Sequence, residues 1–138
     1  MTIRPFEPSD EPAVIDLWRR CELLRPQNDP HKDIQRKLAA QPNLFLVAEI
    51  DSTIVGTVMA GYDGHRGWIN YLATSPAHRR RGIARALMQR AEQLLSAAGC
   101  PKINLQVRAT NHEVVDFYRA IGFHVDDVLS LGKRLESD

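Results

Sequence analysis

The residues best suited to chemistry in this chain form one basic run, Arg79 to Arg85, at the start of a helical pattern. Apolar residues recur at helical spacing from Ile83 to Ala98, and Gly99 marks the end of the helix. No Ser, Thr, Asp or Asn caps the first turn, and three arginines lead into Gly82 instead. The first N–H groups of a helix lack internal partners and carry partial positive charge, so a phosphate or pyrophosphate fits there. The alternative is a solvated basic turn before an ordinary core helix, and charge alone favours neither.

Composition excludes several other functions. The 138 residues are 43% hydrophobic and 25% charged, with a formal net charge of +1, which predicts one globular domain over residues 1–138. A dedicated nucleic-acid binder would carry a basic surplus. No apolar run is long enough to span a membrane, and the polar N-terminus does not resemble a signal peptide. The two cysteines and five histidines lack metal-ligand spacing. We therefore expect no metal, no nucleic acid, no membrane and a cytoplasmic location.

The elements around the basic run follow from periodicity and punctuation. Ser9 predicts the cap of a first helix that ends near Cys21, and Asp29-Pro30 predicts a second helix up to Gln41. A two-residue turn, Asp51-Ser52, predicts a hairpin. The predicted strands are 2–6, 44–50, 53–61, 68–74, 102–108, 123–127 and 129–135, and the later helices are 83–98 and 113–121. This order predicts a mixed sheet with helices on both faces.

Two motifs in this order resemble a known family. The spacing Arg79-x-x-Gly82-x-Ala84 resembles the (Gln/Arg)-x-x-Gly-x-(Gly/Ala) signature of the GNAT N-acetyltransferase superfamily, and the segment from Asn111 to Phe123 resembles its second coenzyme-binding segment. Segments 23–30, 61–67 and 129–135 are similar to the small bacterial YpeA-like acetyltransferases. The resemblance implies an α/β (α+β) fold of GNAT type. Its central sheet would be mixed and mostly antiparallel, with six to seven strands splayed in the middle and four helices on both faces.

The resemblance also implies a cofactor, acetyl-coenzyme A, and the residues that hold it. One strand edge would pair with the pantetheine arm, the basic loop would hold the pyrophosphate, and an asparagine and a tyrosine would complete the site. An N-cap role is the alternative for the asparagine. The implied cofactor-binding residues are Leu72, Ala73, Thr74, Arg79, Arg80, Arg81, Gly82, Ile83, Ala84, Arg85, Asn111 and Tyr118.

Tyr118 is the implied catalytic residue. An ordinary tyrosine, with a pKa of about 10, is protonated at neutral pH and can donate a hydrogen bond to a departing thiolate. Full proton transfer to a thiolate of pKa about 8.5 would be uphill by about 2 kcal/mol, so hydrogen bonding is the better description. The alternative is a core tyrosine beside Phe117.

The general base is not evident in the sequence. A related family branch has a glutamate where this chain has Gln106, which cannot accept a proton. Deprotonating a lysine amine at pH 7 costs roughly 4–5 kcal/mol and an α-amine about 1, so an α-amine or other low-pKa amine is the cheaper acceptor. Water relayed by Glu49, Asp63 or His65 is a further possibility. Two loops are expected to surround the acceptor, with the candidate substrate residues Arg25, Asn28, Asp63 and His65.

The function implied is an enzyme that moves an acetyl group from acetyl-coenzyme A directly to a primary amine of a small molecule, amino acid or peptide. Cys21 and Cys100 lie outside both motifs, so no acetyl-cysteine intermediate is expected. The alternative is a catalytically impaired acyl-coenzyme A-binding regulatory domain, which Gln106 favours. A monomer and a homodimer are equally compatible with the sequence.

Overall fold

The computed structural model describes all 138 residues, as two compact units, residues 1–105 and 106–138. The first unit holds five strands and three helices. The strands are β1 (Thr2–Pro5), β2 (Phe45–Ile50), β3 (Thr53–Tyr62), β4 (Gly67–Thr74) and β5 (Ile103–Leu105), and the helices are α1 (Glu11–Arg20), α2 (Pro30–Ala40) and α3 (Ile83–Ala97). None of the helices is long and apolar enough to cross a bilayer.

The strands form one mixed sheet in the order β1-β2-β3-β4-β5. Neighbours are antiparallel up to β4, and β5 runs parallel to β4. The predicted turn between β2 and β3 is confirmed, because Asp51 and Ser52 both have positive φ angles, as a two-residue hairpin turn requires. The sheet has five strands, where the sequence predicted six to seven.

Helices cover both faces of this sheet. Phe45 and Val47 belong to the buried cluster formed with α1 and α2. Leu46 and Ala48 are equally buried and point to the opposite face, because side chains alternate along a strand. On that face the approach of α3 is close: a Cβ added at Gly56 of β3 would lie 2.9 Å from side-chain atoms of Ile83 and Leu87. Gly56 thus lets the first turn of α3 rest directly on β3.

The helix starts were predicted with mixed success. The Asp29 side chain accepts hydrogen bonds from the backbone N–H groups of His31 and Lys32, which confirms the predicted cap of α2. The predicted cap at Ser9 was wrong, because Ser9 lies inside a 3-10 turn, Pro8–Asp10, that precedes α1. The chain enters this turn through a reciprocal capping box of Glu7 and Asp10. The Asp10 carboxylate is also paired with Arg4 at 2.8 Å, which joins the turn to β1.

The second unit contains α4 (His112–Ala120) and no strand. The strands predicted over 123–127 and 129–135 were wrong, because the chain has no strand after β5. Val128, Leu129, Leu131 and Leu135 are instead mostly exposed. The fifth strand is likewise shorter than the predicted 102–108. That residues 1–138 form a single domain stays a prediction.

Candidate functional site

The loop between β4 and α3 presents a run of backbone N–H groups without partners. Arg80 and Gly82 both have left-handed backbone, with φ angles of +63° and +75°. The first backbone hydrogen bond of the helix is donated by Ala86 to the carbonyl of Gly82, at 3.0 Å. The N–H groups of residues 79–85 donate to no backbone carbonyl. Successive N–H groups in such a turn form a concave site that binds anions, and the side chains of its four arginines, Arg79, Arg80, Arg81 and Arg85, are exposed around it.

Gly82 is required here by its backbone conformation. A Cβ at this position would meet no atom within 4 Å, so crowding within the protein does not select glycine. The left-handed conformation costs other residues about 1–2 kcal/mol. Gly82 is also the N-cap of α3, with no side-chain cap bond, so the positive end of the helix dipole is not neutralised by the chain.

Strand β4 has an unpaired edge next to this loop. Strand β5 pairs only with Gly67 to Ile69 of β4 and ends at Leu105. From Asn70 to Thr74, β4 has β3 on one side and no strand on the other. The sheet therefore has no strand beside Leu72, Ala73 and Thr74, and the expected splay of two strands stays a prediction.

A β-bulge interrupts β4 at the start of this edge. Thr57 of β3 faces Ala73 and Met59 faces Asn70, so two residues of β4, Tyr71 and Leu72, lie opposite one residue of β3. Tyr71 has a φ angle of +51°. A left-handed tyrosine within a strand stores about 1–3 kcal/mol of strain, which the surrounding structure must offset.

Three contacts hold Tyr71 in this conformation. The hydroxyl of Thr57, fully buried, donates to the Tyr71 carbonyl at 2.8 Å and accepts a hydrogen bond from Trp18 Nε1 at 2.9 Å. The rings of Trp18 and Tyr71 stack with centroids 3.8 Å apart. The Tyr71 hydroxyl donates to Asp33 Oδ2 at 2.7 Å. Sequence reasoning missed these four residues, because periodicity gave Trp18 and Tyr71 only core or strand roles and nothing linked Thr57 to Asp33.

The second unit contains the other proposed coenzyme residues. Asn111 is the N-cap of α4, and its side-chain oxygen accepts a hydrogen bond from the Val114 N–H at 3.4 Å. Its amide N–H groups are left for another partner. The side chain of Gln106 is exposed and donates to the Ser130 hydroxyl.

Tyr118 is 8% exposed and packs edge-to-face against Phe117 and Phe123. Burial raises the pKa of its phenol to about 12. The Tyr118 hydroxyl makes no hydrogen bond within the protein. Every polar side-chain atom that is fully shielded from solvent does have a partner, so the Tyr118 oxygen is not fully shielded. The Tyr118 hydroxyl therefore keeps some access to solvent and is free to donate to a ligand.

Of the two loops expected at the acceptor site, one lies beside the unpaired edge of β4 and the other lies at the opposite end of that strand. The connection from α1 to α2 contains Arg25 and Asn28. Residues just before and just after this connection both contact β4. The Cys21 thiol donates to the Thr74 carbonyl at 3.2 Å, and Asp33 accepts from Tyr71. This connection therefore lies beside the unpaired edge of β4. Arg25 itself donates to the carbonyls of Glu22 and Leu24 in its own turn.

The loop with Asp63 and His65 precedes Gly67, at the other end of β4. Five residues of strand, about 16 Å, separate Gly67 from Leu72. Asp63 accepts hydrogen bonds from the N–H groups of His65 and Arg66, which lower the pKa of its carboxyl and fold the loop. The structure does not bring Asp63 and His65 to the open edge.

Two other candidates have defined partners. Glu49 Oε2 accepts a hydrogen bond from Arg4 Nε at 3.2 Å, on the β1 side of the sheet. Cys21 was predicted to lie outside the motifs, but its thiol contacts Thr74. No group of three or more His, Cys, Asp and Glu side chains is arranged to hold a metal ion.

Comparisons with known proteins identify the family. The model of the Acetyltransferase (GNAT) family matches residues 12–123. The chain is 54% identical over 138 residues to an acetyltransferase of Pectobacterium atrosepticum, a match that covers all of this chain and 98% of that protein.

Solved structures share the fold. The PaiA N-acetyltransferase of Thermoplasma acidophilum in complex with coenzyme A superposes with a TM-score of 0.81 at 22% identity, covering 92% of this chain and 91% of that chain. Naa20 of Chaetomium thermophilum in complex with a bisubstrate analogue gives a TM-score of 0.72 at 28% identity, covering 88% of this chain and 70% of that chain. The resemblance found in the sequence is confirmed: this chain belongs to the GNAT family of acetyltransferases.

Proposed function

We propose that this protein transfers an acetyl group from acetyl-coenzyme A directly to a primary amine of a small molecule, an amino acid or a peptide. The observation that carries the proposal is the loop of residues 79–85, where consecutive N–H groups have no partner and Gly82 is left-handed. A diphosphate satisfies such donors, and each hydrogen bond to a charged group contributes about 1.5–3 kcal/mol.

The remaining cofactor contacts follow from the open edge of β4. The backbone groups of Leu72, Ala73 and Thr74 border that edge and would pair with the amide groups of the pantetheine arm. When bound, acetyl-coenzyme A supplies the thioester and the leaving thiol. The bulge at Tyr71 turns the backbone next to this edge, and one of the N–H groups of Leu72, Ala73 and Thr74 would polarise the acyl oxygen.

Tyr118 acts in this proposal as a hydrogen-bond donor. With a pKa of about 12, its phenol stays protonated across the physiological range. Full proton transfer to a thiolate of pKa about 8.5 would be uphill by about 5 kcal/mol. Burial therefore makes Tyr118 a poorer acid than the sequence alone implied and leaves it a dependable donor.

The acceptor is an amine that loses its proton at low cost. Gln106 cannot serve as a base, and Glu49 is paired with Arg4. An α-amine of pKa near 8 costs about 1 kcal/mol to deprotonate at pH 7, against roughly 4–5 for a lysine. We therefore place α-amines and other low-pKa primary amines ahead of lysine side chains.

The test is release of free thiol from acetyl-coenzyme A in the presence of amines, amino acids and short peptides with free N-termini. Acetylated product is identified by mass spectrometry, and the matching N-blocked compounds serve as controls. Acetylation of free amines and not of blocked ones is the expected result. Tight binding of coenzyme A without acetylation of any amine would contradict the proposal and favour the regulatory acyl-coenzyme A-binding alternative.

A further inference from the structure

Ser75 is a buried polar residue to which the proposed chemistry gives no role. It directly follows the last residue of β4 and is 3% exposed. Two other polar side chains are buried, and both hold a structural feature in place: Asp10 fixes the turn before α1, and Thr57 fixes the bulge of β4. Burying a hydroxyl is costly unless it is hydrogen-bonded, so the partners of Ser75 show what it holds.

The Ser75 hydroxyl joins α1 to the turn that leads into the basic loop. It accepts a hydrogen bond from Arg20 Nη1, in the last turn of α1, at 3.4 Å and lies 3.2 Å from His78 Nδ1. Because a guanidinium only donates and a hydroxyl carries one proton, the Ser75 proton is available to His78 Nδ1. Arg20 is itself oriented by Asp16, whose Oδ2 lies 3.1 Å from Arg20 Nε. Ser75 thus connects α1 with the 3-10 turn Pro76–His78.

The backbone of Ser75 is fixed as well. Its N–H donates to the Val55 carbonyl at 2.7 Å, and its carbonyl accepts a hydrogen bond from the His78 N–H at 2.8 Å. Beyond His78, residues 79–81 make no hydrogen bond within the protein, and the next backbone hydrogen bond is the first one of α3. Hydrogen bonds therefore fix the basic loop only at its two ends, at the turn that Ser75 holds and at α3.

We propose that Ser75 is a positioning residue for the diphosphate-binding loop of residues 79–85. This inference rests on the proposed binding of acetyl-coenzyme A and adds to it the residue that presents the loop. Ser75 contacts neither the coenzyme nor the acceptor. It fixes the 3-10 turn, so that the N–H groups of the loop are arranged for an anion before one arrives. Such preorganisation raises affinity, because a ligand binds more weakly when only a fraction of the molecules has the competent arrangement.

The binding test uses three probes: coenzyme A, inorganic pyrophosphate, and pantetheine, which is the arm of the coenzyme without its nucleotide diphosphate. Each is titrated into the full-length protein, and amide shifts are followed by NMR, which also reports weak binding. Ser75→Ala should lower the affinity for coenzyme A and for pyrophosphate roughly threefold to tenfold, as loss of one hydrogen bond implies. The affinity for pantetheine should stay that of the parent, because pantetheine has no diphosphate for the loop to bind.

Three further variants distinguish positioning from a general loss of stability. Ser75→Thr keeps the hydroxyl and should bind pyrophosphate within about twofold of the parent. Arg20→Ala removes one partner of the hydroxyl, and its loss of affinity should not add fully to that of Ser75→Ala, because the two residues act through one hydrogen bond. Ile34→Val is the stability control: it shortens a buried side chain of α2, should lower the midpoint of thermal unfolding, and should leave all three affinities unchanged.

The outcomes separate this inference from the proposed function. If Ser75→Ala binds coenzyme A and pyrophosphate as the parent does, or loses affinity for pantetheine to the same extent, the positioning role is wrong and acetylation still stands. With an acetylated amine in hand, Ser75→Ala should raise KM for acetyl-coenzyme A roughly threefold to tenfold with kcat within about twofold, as loss of uniform binding does. Pyrophosphate binding that depends on Ser75, with no amine acetylated by the parent, would overturn acetylation and leave the positioning role standing. A parent that binds neither coenzyme A nor pyrophosphate would overturn both.

Discussion

Replacing Tyr118 by phenylalanine removes a phenol whose pKa is raised from 10 to about 12 by burial. At pH 10 a tyrosine of ordinary pKa would be half ionised, whereas Tyr118 would be about 1% ionised. The donor proposed for the thiolate is thus still present where exposed tyrosines have lost their proton. Tyr118→Phe should lower acetylation at least about tenfold and leave the affinity for coenzyme A unchanged, because the lost bond forms only as the thiolate develops.

The same shift predicts a dependence of stability on pH. The folded-state pKa lies above the unfolded value, so the protonated phenol favours the folded state. That contribution is complete below pH 10 and is lost as the pH rises from 10 towards 12. At pH 11 the unfolded chain has released this proton and the folded chain has mostly kept it, which lowers the free energy of unfolding by about 1.4 kcal/mol. The free energy of unfolding of Tyr118→Phe should not fall for this reason, because the variant has no phenol at this position.

Urea unfolding at pH 8.5 and pH 11 measures the effect as a double difference. The parent should lose about 1.4 kcal/mol more than Tyr118→Phe between the two values, since the other titrating groups are common to both. Kinetics provide the second measurement. Any fall in kcat/KM centred near pH 10 should be the same in the parent and in Tyr118→Phe. Equal losses of stability in both proteins, or a descending limb near pH 10 in the parent alone, would refute the reasoning.

Two further predictions concern the support of β4. Thr57→Val removes the buried hydroxyl between Trp18 Nε1 and the Tyr71 carbonyl, and with it the hydrogen bonds that this hydroxyl makes to both groups. It should lower the free energy of unfolding by about 2–4 kcal/mol in urea titrations, whereas the exposed Thr53→Val should change it by less than about 0.5. Cys21→Ala should keep acetylation within about twofold and give no less product in single-turnover assays, because direct transfer needs no acetyl-cysteine. Loss of turnover on a folded Cys21→Ala variant would show that the thiol takes part.

Local sequence signals predicted most of the fold. Asp29-Pro30 gave the start of α2 because a carboxylate cap and an N1 proline act within one turn. The turn between β2 and β3 was also predicted from a local signal, the two adjacent residues Asp51 and Ser52. Ser9 failed because Glu7 and Asp10 formed a competing capping box. The strands over 123–127 and 129–135 failed because a strand needs a neighbour in register, which the local sequence does not show.

The part of the candidate site that is formed by a single peptide segment was predictable from the sequence. The loop from Arg79 to Arg85 was visible in the sequence because its donors belong to consecutive residues. The bulge at Tyr71 was not, since tyrosine disfavours a left-handed backbone and its supports, Thr57 and Asp33, are distant along the chain. The pKa of Tyr118 also depends on burial, which spacing does not reveal.

Calorimetric titration of coenzyme A into two glycine variants tests the diphosphate site most directly. Gly82 and Gly99 lie just outside opposite ends of α3, with φ angles of +75° and +90°, and a Cβ at either would meet no atom within 4 Å. Alanine at either should therefore cost a similar 1–2 kcal/mol of stability. Gly82→Ala should lower the affinity for coenzyme A at least about hundredfold, which corresponds to the loss of two charge-assisted hydrogen bonds. Gly99→Ala should bind coenzyme A with the affinity of the parent. Equal affinity in the two variants would contradict the account.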